Sequence, residues 1–156
     1  MTNRYEQNLE QLGIILPTPV APVANYVPFV QTGNLLSISG QIPVDSEGKF
    51  PYLGKVGVEV SEEDAVNAAR LCAINIISQA KVACGGDLSR IVRIVKLGAF
   101  VNCQDSFPGQ PAIVNGASDL MVAVFGEAGR HSRSAVGTNS LPLNVPVEID
   151  ALIEIS

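Results

Sequence analysis

The chain is poor in the residue types on which several common functional sites depend. It has one histidine, His131, and no tryptophan among its 156 residues. A zinc site built from several histidines is therefore excluded, and a Ser-His-Asp triad would have to use His131. No nucleophile elbow occurs, and Gly85-Gly86 follows a predicted helix, whereas a phosphate-binding glycine loop follows a strand. The sequence thus indicates neither a metal site nor a common nucleophilic motif.

Cysteines and long apolar runs are also scarce. The three cysteines, Cys72, Cys84 and Cys103, match no metal-binding or redox spacing, and free thiols are typical of a reducing compartment. The N-terminus lacks a basic-then-apolar signal segment, and no apolar run approaches the roughly 20 residues that cross a membrane. We therefore expect a cytoplasmic protein that has no membrane partner.

Charged residues make up only 16% of the chain, whereas apolar residues make up 47%. The length suits a single domain, residues 1–156, with an ample supply of core residues. The net charge is −5 and the ten basic residues are mostly scattered. Because nucleic-acid binders usually carry basic stripes that neutralise phosphates, this composition disfavours a nucleic-acid partner.

Hydrophobic periodicity predicts the element order β-β-α-β-α-β-β behind an N-terminal extension, residues 1–27. The extension contains a short helix over 3–12 and a proline-rich arm over 16–22, which we expect to lie along the surface. The predicted elements are strands over 29–31 and 35–39, a helix over 61–83, a strand over 91–101, a helix over 111–126, and strands over 134–139 and 145–155. Ser61 is the predicted cap of the longest helix, and Gly85-Gly86 end it.

The strand over 91–101 carries mainly apolar residues on both of its faces, as expected of a strand that is covered on both sides. Two predicted helices can cover one face of the sheet. The sequence offers no third helix of similar strength for the other face. We therefore predict that a second subunit covers that face and that the protein is a homo-oligomer.

Arg133 and Glu148 form the main constellation that could carry chemistry. Arg133 begins one C-terminal strand, and Glu148 follows fifteen residues later in the next. A guanidinium can hold a carboxylate through two hydrogen bonds, and a nearby carboxylate can position or deprotonate water. Glu148 and Asp150 alternate with apolar residues, so they should point away from the packed face. On the residues alone, an ordinary Arg133–Glu148 ion pair on the sheet is favoured over a functional site.

Two segments resemble the RidA family of reactive-intermediate (enamine/imine) deaminases, also called the YjgF or L-PSP endoribonuclease-like family. In residues 132–151, an arginine and a small residue are followed by a strand, Leu141-Pro142, a short turn and an acid-bearing strand. The second segment is Ser39-Gly40-Gln41-Ile42-Pro43. The resemblance covers most of the chain from about Pro28, and the N-terminal extension indicates a divergent branch.

The resemblance implies an α+β fold like that of chorismate mutase from bacilli, with a mixed sheet and two helices on one face. It also implies a homotrimer in which three sheets form a central barrel and the clefts between subunits hold the sites. The implied partner is a small carboxylate or an imine substrate, and the resemblance implies neither a metal nor an organic cofactor.

The implied activity is that of a hydrolase acting on a C–N bond, which converts reactive 2-enamine and 2-imine acids into 2-keto acids and ammonia. Arg133 would bind the substrate carboxylate, and Glu148 would help to orient the water that attacks the imine carbon. Ser39 and Gly40 would line the pocket, and Asn115 matches a site position of the family.

Two positions depart from the family pattern. Ala135 stands where members often have a cysteine, and Phe29 corresponds loosely to an early tyrosine. Both changes fit equally well a trimer without catalysis that binds a small carboxylate in the same cleft, and this alternative stays open. A third reading is the endoribonuclease of the family's older name, which the negative charge and the scarcity of aromatic residues disfavour.

Overall fold

The computed structural model describes residues 3–19, 21–22 and 24–156. Its helices and strands are, in chain order, α1 (Arg4–Gln11), β1 (Phe29–Thr32), β2 (Leu35–Gln41), α2 (Glu62–Ala83), β3 (Ile91–Asn102), α3 (Gln110–Phe125), β4 (Ser132–Thr138) and β5 (Val147–Ile155). The predicted order β-β-α-β-α-β-β behind an N-terminal helix is confirmed. No helix in these residues is both long enough and apolar enough to cross a membrane.

The strands form one mixed sheet in the order β1-β2-β5-β3-β4. Only β3 and β4 pair in parallel, and the other neighbours are antiparallel. Helices α2 and α3 cover one side, which we call the helix face, and we call the other side the open face. The fold is therefore α+β with helices on one face of the sheet, as expected, and β1 and β4 are its edges.

Alternation along β5 separates the two faces. Its core residues point to the helix face, and these are Val147, Ile149, Ala151, Ile153 and Ile155. Glu148 and Asp150 occupy the alternate positions, so their predicted orientation away from the packed side is confirmed. The acids of β5 consequently lie on the open face, in the middle of the sheet.

Local signals explain where α2 begins and ends. The Ser61 side chain accepts a hydrogen bond from the backbone N–H of Asp64 at 3.1 Å, which satisfies a free donor of the first turn. The chain then leaves the helix through Gly85, whose φ of 68° favours glycine. These contacts confirm the predicted bounds of the longest helix.

The N-terminal helix packs on the end of α3. The rings of Tyr5 and Phe125 meet edge to face with centroids 4.9 Å apart, and the Asn8 side chain donates to the Val124 carbonyl at 2.7 Å. In the proline-rich arm, the Pro17 carbonyl accepts a hydrogen bond from the Ser78 hydroxyl of α2. The arm thus contacts the body of the domain there, whereas Val20 and Val23 lie outside the described residues.

The open face combines acids with exposed apolar side chains, among them Val30, Phe100 and Val136. In the predicted oligomer a second subunit covers this face, and its mixed character is compatible with such a contact. The homotrimer itself stays a prediction.

Candidate functional site

Arg133 lies on the edge strand β4 and points to the helix face, where it meets the first turns of α3. Its Nη1 donates to Asn115 Oδ1 at 2.9 Å and to Ser118 Oγ at 3.1 Å. Its Nη2 donates to the carbonyl oxygen of Pro111 at 3.2 Å. Asn115 and Ser118 are three residues apart on a helix and therefore share a face, which lets both reach the same guanidinium.

Every one of these acceptors is neutral. Throughout the described part of the chain, no carboxylate lies within 4.0 Å of Arg133. A guanidinium has five N–H donors, and the three hydrogen bonds occupy both donors of Nη1 and one of Nη2. The Nε–H and one Nη2–H remain without a partner among the described residues, and two free N–H groups of a guanidinium can bind a carboxylate.

The Arg133–Glu148 ion pair favoured by the residues alone is wrong. Arg133 pairs in register with Leu97, which is fully buried under the helices, whereas Glu148 pairs with Phe100 on the open face. Strand β3 separates β4 from β5, and the register across it puts the two side chains on opposite faces. Sequence spacing does not fix that register, so the fifteen residues between them could not reveal it.

Glu148 lies over a glycine of the neighbouring strand β2. A Cβ added to Gly40 would come within 3.0 Å of Glu148 Cδ, so the missing side chain makes room for the carboxyl group. Asp150 has the same relation to Gly98 of β3, where an added Cβ would lie 2.6 Å from its Oδ1. Two acids of β5 are thus seated on glycines of the adjacent strands.

The environment of these acids raises their affinity for protons. Partial burial raises the pKa of Glu148, and the nearby charge of Asp150 adds to the effect. Partial burial also raises the pKa of Asp150, against the opposing influence of the Lys96 charge. Glu148 is therefore a stronger base than an ordinary surface carboxylate.

Ser118 is a site residue that the sequence analysis missed, and it connects Arg133 to the only histidine. Its Oγ lies 2.9 Å from His131 Nε2, and His131 Nδ1 lies 2.7 Å from the carbonyl oxygen of Gly129. The helical spacing from Asn115 was the signal that could have found Ser118. This spacing alone could not indicate a site residue, because the sequence does not show that this face of α3 contacts β4.

The other predicted site residues fall into separate places. Ala135 lies two residues after Arg133 on the same side of β4, partly buried opposite Ala99. The Ser39 hydroxyl, next to Gly40, donates to the Val27 carbonyl at 2.8 Å. Phe29 lies on β1, at the opposite edge of the sheet, and packs against the core.

One chain therefore brings together Arg133, Asn115 and Ala135 at the β4 edge. It brings Glu148 together with Gly40 on the open face, and it keeps the two groups apart. Within the described ranges, no group of three or more histidine, cysteine or acidic side chains could hold a metal ion.

The strand order and directions, with two helices on one face of the sheet, make this an α+β protein of chorismate-mutase-like architecture. Residues 6–154 match the family described as "YjgF/chorismate mutase-like, putative endoribonuclease". The chain belongs to this family, which confirms the resemblance found in the sequence.

Two curated relatives have different kinds of names. The chain is 45% identical over 156 residues to "Protein TCP17" of Trypanosoma cruzi, covering 99% of this chain and 96% of that protein. It is 27% identical over 143 residues to "2-iminobutanoate/2-iminopropanoate deaminase" of Dermatophagoides farinae, covering 90% and 95%. The second relative is named for the activity that the resemblance implies.

Solved structures give the same fold. A protein of unknown function from Agrobacterium tumefaciens, Atu1372, is 51% identical with a TM-score of 0.91, covering 97% of this chain and 92% of that one. E. coli TdcF, solved with bound serine, is 26% identical with a TM-score of 0.65, covering 89% and 94%.

Proposed function

We propose that this protein hydrolyses reactive 2-imino acids, which form from 2-enamine acids, to 2-keto acids and ammonia in a cleft between two copies of the chain. The observation that carries the proposal is the Arg133 guanidinium, which three neutral acceptors hold and no carboxylate of the described residues neutralises. The relative named 2-iminobutanoate/2-iminopropanoate deaminase supports the choice of substrate.

Arg133 would bind the carboxylate that every 2-imino acid carries. The two unoccupied N–H groups can donate to its two oxygens in a charge-assisted pair. Asn115, already bonded to Nη1 through Oδ1, would keep its amide nitrogen available for a polar group of the substrate. Ala135 would line the same side of the pocket, with a methyl group where members of the family often have a cysteine.

Glu148 would act on the water. The carboxylate takes a proton from water as the oxygen attacks the imine carbon, and it passes this proton to the imine nitrogen, which gives a carbinolamine. Glu148 then takes the proton of the carbinolamine hydroxyl and gives it to the amino nitrogen, so that the C–N bond breaks, ammonia leaves and the carbonyl of the keto acid forms. The raised pKa of Glu148 suits it to accept the first proton and return one to the leaving nitrogen.

Two copies are needed because one chain keeps Arg133 and Glu148 on opposite faces of its sheet. The first copy would supply Arg133, Asn115 and Ala135 from its β4 edge. The second would supply Glu148 with Ser39 and Gly40 from its open face. In this arrangement Phe29 would support the edge of the second sheet from its helix face, because it pairs with the buried Ile38 and packs against the core.

The experiment generates 2-aminoacrylate and a branched-chain imine in situ from amino acids and follows the release of keto acid. We expect acceleration over buffer, loss of binding in Arg133→Ala, and a kcat lower by on the order of 10²–10⁴ in Glu148→Gln. Glu154→Gln is the matched control, because Glu154 lies on the same strand and bonds to the Asn34 side chain. No acceleration with any of several imines would sink the proposal.

A second candidate is a binding protein without turnover, and the structure of E. coli TdcF with bound serine favours it. The same Arg133 edge would then hold a small carboxylate at rest. Thermal-shift measurements with 2-keto acids and aromatic acids separate the two functions. Binding that disappears in Arg133→Ala, together with no keto-acid release, would select this second candidate.

A further inference from the structure

We infer that Ser118 and His131 are positioning residues that hold the Arg133 guanidinium in the orientation in which it meets a carboxylate. The inference rests on the proposed function for the role of Arg133. The structural observation behind it is a chain of three consecutive hydrogen bonds, from Arg133 to Ser118, from Ser118 to His131, and from His131 to the backbone of Gly129.

The protons of this chain can be assigned from the acceptors at its ends. A carbonyl oxygen only accepts, so His131 Nδ1, 2.7 Å from the Gly129 oxygen, must carry a proton. In the neutral ring Nε2 is then an acceptor, and the Ser118 hydroxyl 2.9 Å away donates to it. The Ser118 oxygen is left to accept from Arg133 Nη1 at 3.1 Å.

All three bonds therefore run in the same direction, from the guanidinium toward the Gly129 carbonyl. Hydrogen bonds aligned in this way polarise one another and strengthen the chain. Ser118 also becomes a stronger acceptor for Arg133, because its own proton is committed to His131. A substitution of His131 should consequently alter the orientation of the Arg133 guanidinium, although the imidazole ring makes no described hydrogen bond to that group.

The far end of the chain is fixed against α3. Gly129 is buried, and a Cβ added there would lie 2.1 Å from the Met121 carbonyl oxygen, so the backbone at Gly129 is in direct contact with α3. Ser118 belongs to the same helix as Met121. The anchor of His131 thus packs against the same helix that carries the acceptor of Arg133.

A guanidinium ordered in advance loses less freedom when a ligand binds. Removing the Ser118 hydroxyl should weaken carboxylate binding about 3- to 10-fold, the effect of ordering one flexible side chain. Because Arg133 holds the carboxylate both before and during the reaction, KM should rise while kcat changes little. A residue that only stabilised the fold would lower the active fraction and hence the apparent kcat.

The first experiment records the imidazole ¹⁵N signals of the native protein at neutral pH. His131 is the only histidine, so the signals need no assignment. We expect protonated Nδ1 and unprotonated Nε2, the less common neutral form. A proton on Nε2 with Nδ1 bare would overturn the inference, and this result does not depend on whether the protein is a deaminase.

The second experiment measures KM and kcat with an imine, and the Kd of the 2-keto acid product by calorimetry. Ser118→Ala and His131→Leu should raise KM and Kd together. Ser118→Thr, which keeps the hydroxyl, and His131→Gln, which keeps an acceptor, should restore both. Ser132→Ala is the control, since that hydroxyl donates to the Val95 carbonyl and not to the chain. Unchanged KM and Kd in Ser118→Ala would refute the positioning role, whereas keto-acid binding without turnover would contradict only the deaminase activity.

Discussion

Arg133 donates hydrogen bonds only to neutral oxygens, so its positive charge is not neutralised by these partners and can attract an anionic ligand. A carboxylate in the same position as Asn115 Oδ1 would satisfy the same N–H group but would compete with any bound anion. The two N–H groups that remain belong to a flat, forked group that a lysine cannot reproduce. The identity of the side chain, beyond its charge, should therefore matter.

Arg133→Lys should raise the KM for an imine substrate about 10-fold or more, because charge is kept and two-point binding is lost. Steady-state kinetics and the Kd of a keto acid measure the effect. Arg93→Lys is the matched control, since Arg93 is exposed on β3 and bonds only weakly to the Arg130 carbonyl at 3.4 Å. Equal affinities for the native protein and Arg133→Lys would show that the charge alone is used.

Glu148 should cost stability at neutral pH in exchange for its basicity. Its raised pKa means that the folded state binds the proton more tightly than the unfolded state. Stability therefore falls as pH rises from the ordinary carboxyl range through the raised pKa, where the buried charge forms. Glu148→Gln removes that charge, so its Tm should exceed the native Tm at pH 7, and the gain should vanish near pH 3.

Asp87→Asn should change the Tm at pH 7 in the opposite direction to Glu148→Gln. Hydrogen bonds from the Ser89 side chain and backbone lower the pKa of Asp87. Its contribution to stability is therefore present at neutral pH and is lost as the pH falls through the lowered pKa. Asp87→Asn should lower Tm at pH 7. A gain for Glu148→Gln that is equally large at pH 3 would mean that its charge is not the cause.

The sequence could identify Arg133 and Glu148 as candidate site residues, but it could not show which residues contact them in the folded chain. Arg133 and Glu148 stand in segments that match a known pattern, and the alternation in β5 correctly predicted that Glu148 leaves the packed side. Their separation depends on the register through β3, and the role of Ser118 depends on how α3 docks. Both are decided by tertiary packing, which local periodicity does not encode.

Helix α3 owes its position to a glycine at the contact with α2. A Cβ added to Gly116 would lie 2.1 Å from the Val66 carbonyl oxygen, so the two helices approach backbone to backbone. Asn115 and Ser118 flank this glycine on the same helix. A shift of α3 at this contact would therefore move both polar groups relative to Arg133.

Gly116→Ala should force α3 away from α2 and cost about 1–3 kcal/mol in the free energy of unfolding. For a chain of this size each kcal/mol corresponds to a fall in Tm of about 2–4 °C. Calorimetry measures the loss, and the Kd of a keto acid should weaken because the Asn115 and Ser118 contacts shift. Ala123→Ser, on the exposed side of α3, is the control. A Tm within one degree or so of the native value would contradict the expected clash.

Element bounds were predictable where capping and periodicity agree. Ser61 caps α2 as predicted, Asn3 is found to cap α1, and the structure places both helices within a residue of the predicted bounds. Strand β2 continues to Gln41, past the predicted end at Ser39, because a bulge carries the chain through Gly40. A glycine that ends a strand and a glycine that bulges within one look alike in sequence.

At the scale of the whole molecule, the two halves of the proposed site lie on surfaces that a single copy cannot join. The Arg133 group is at the β4 edge, and Glu148 is in the middle of the open face. That face also exposes apolar surface that contact with a second copy would bury, and it belongs to Val30, Phe100 and Val136. Assembly and catalysis would then depend on the same contact.

Mixing inactive variants tests this dependence directly. Arg133→Ala retains Glu148, and Glu148→Gln retains Arg133, so a shared site is intact wherever a copy of one meets a copy of the other in the correct order. In randomly assembled equimolar oligomers, about a quarter of the sites should have both residues, and about a quarter of native activity should return. If both residues acted within one copy, the mixture would stay inactive.

The double variant Arg133→Ala/Glu148→Gln, mixed with an equal amount of native chain, makes the comparison quantitative. A shared site needs two native copies side by side, which again leaves about a quarter of native activity, whereas a site within one copy would leave about half. The two mixtures must therefore agree with each other if the cleft is shared, and must differ if it is not. A general loss of stability in a variant chain would lower the activity of either mixture. It would not produce the result that a site within one copy requires, which is no activity in the first mixture and about half of native activity in the second.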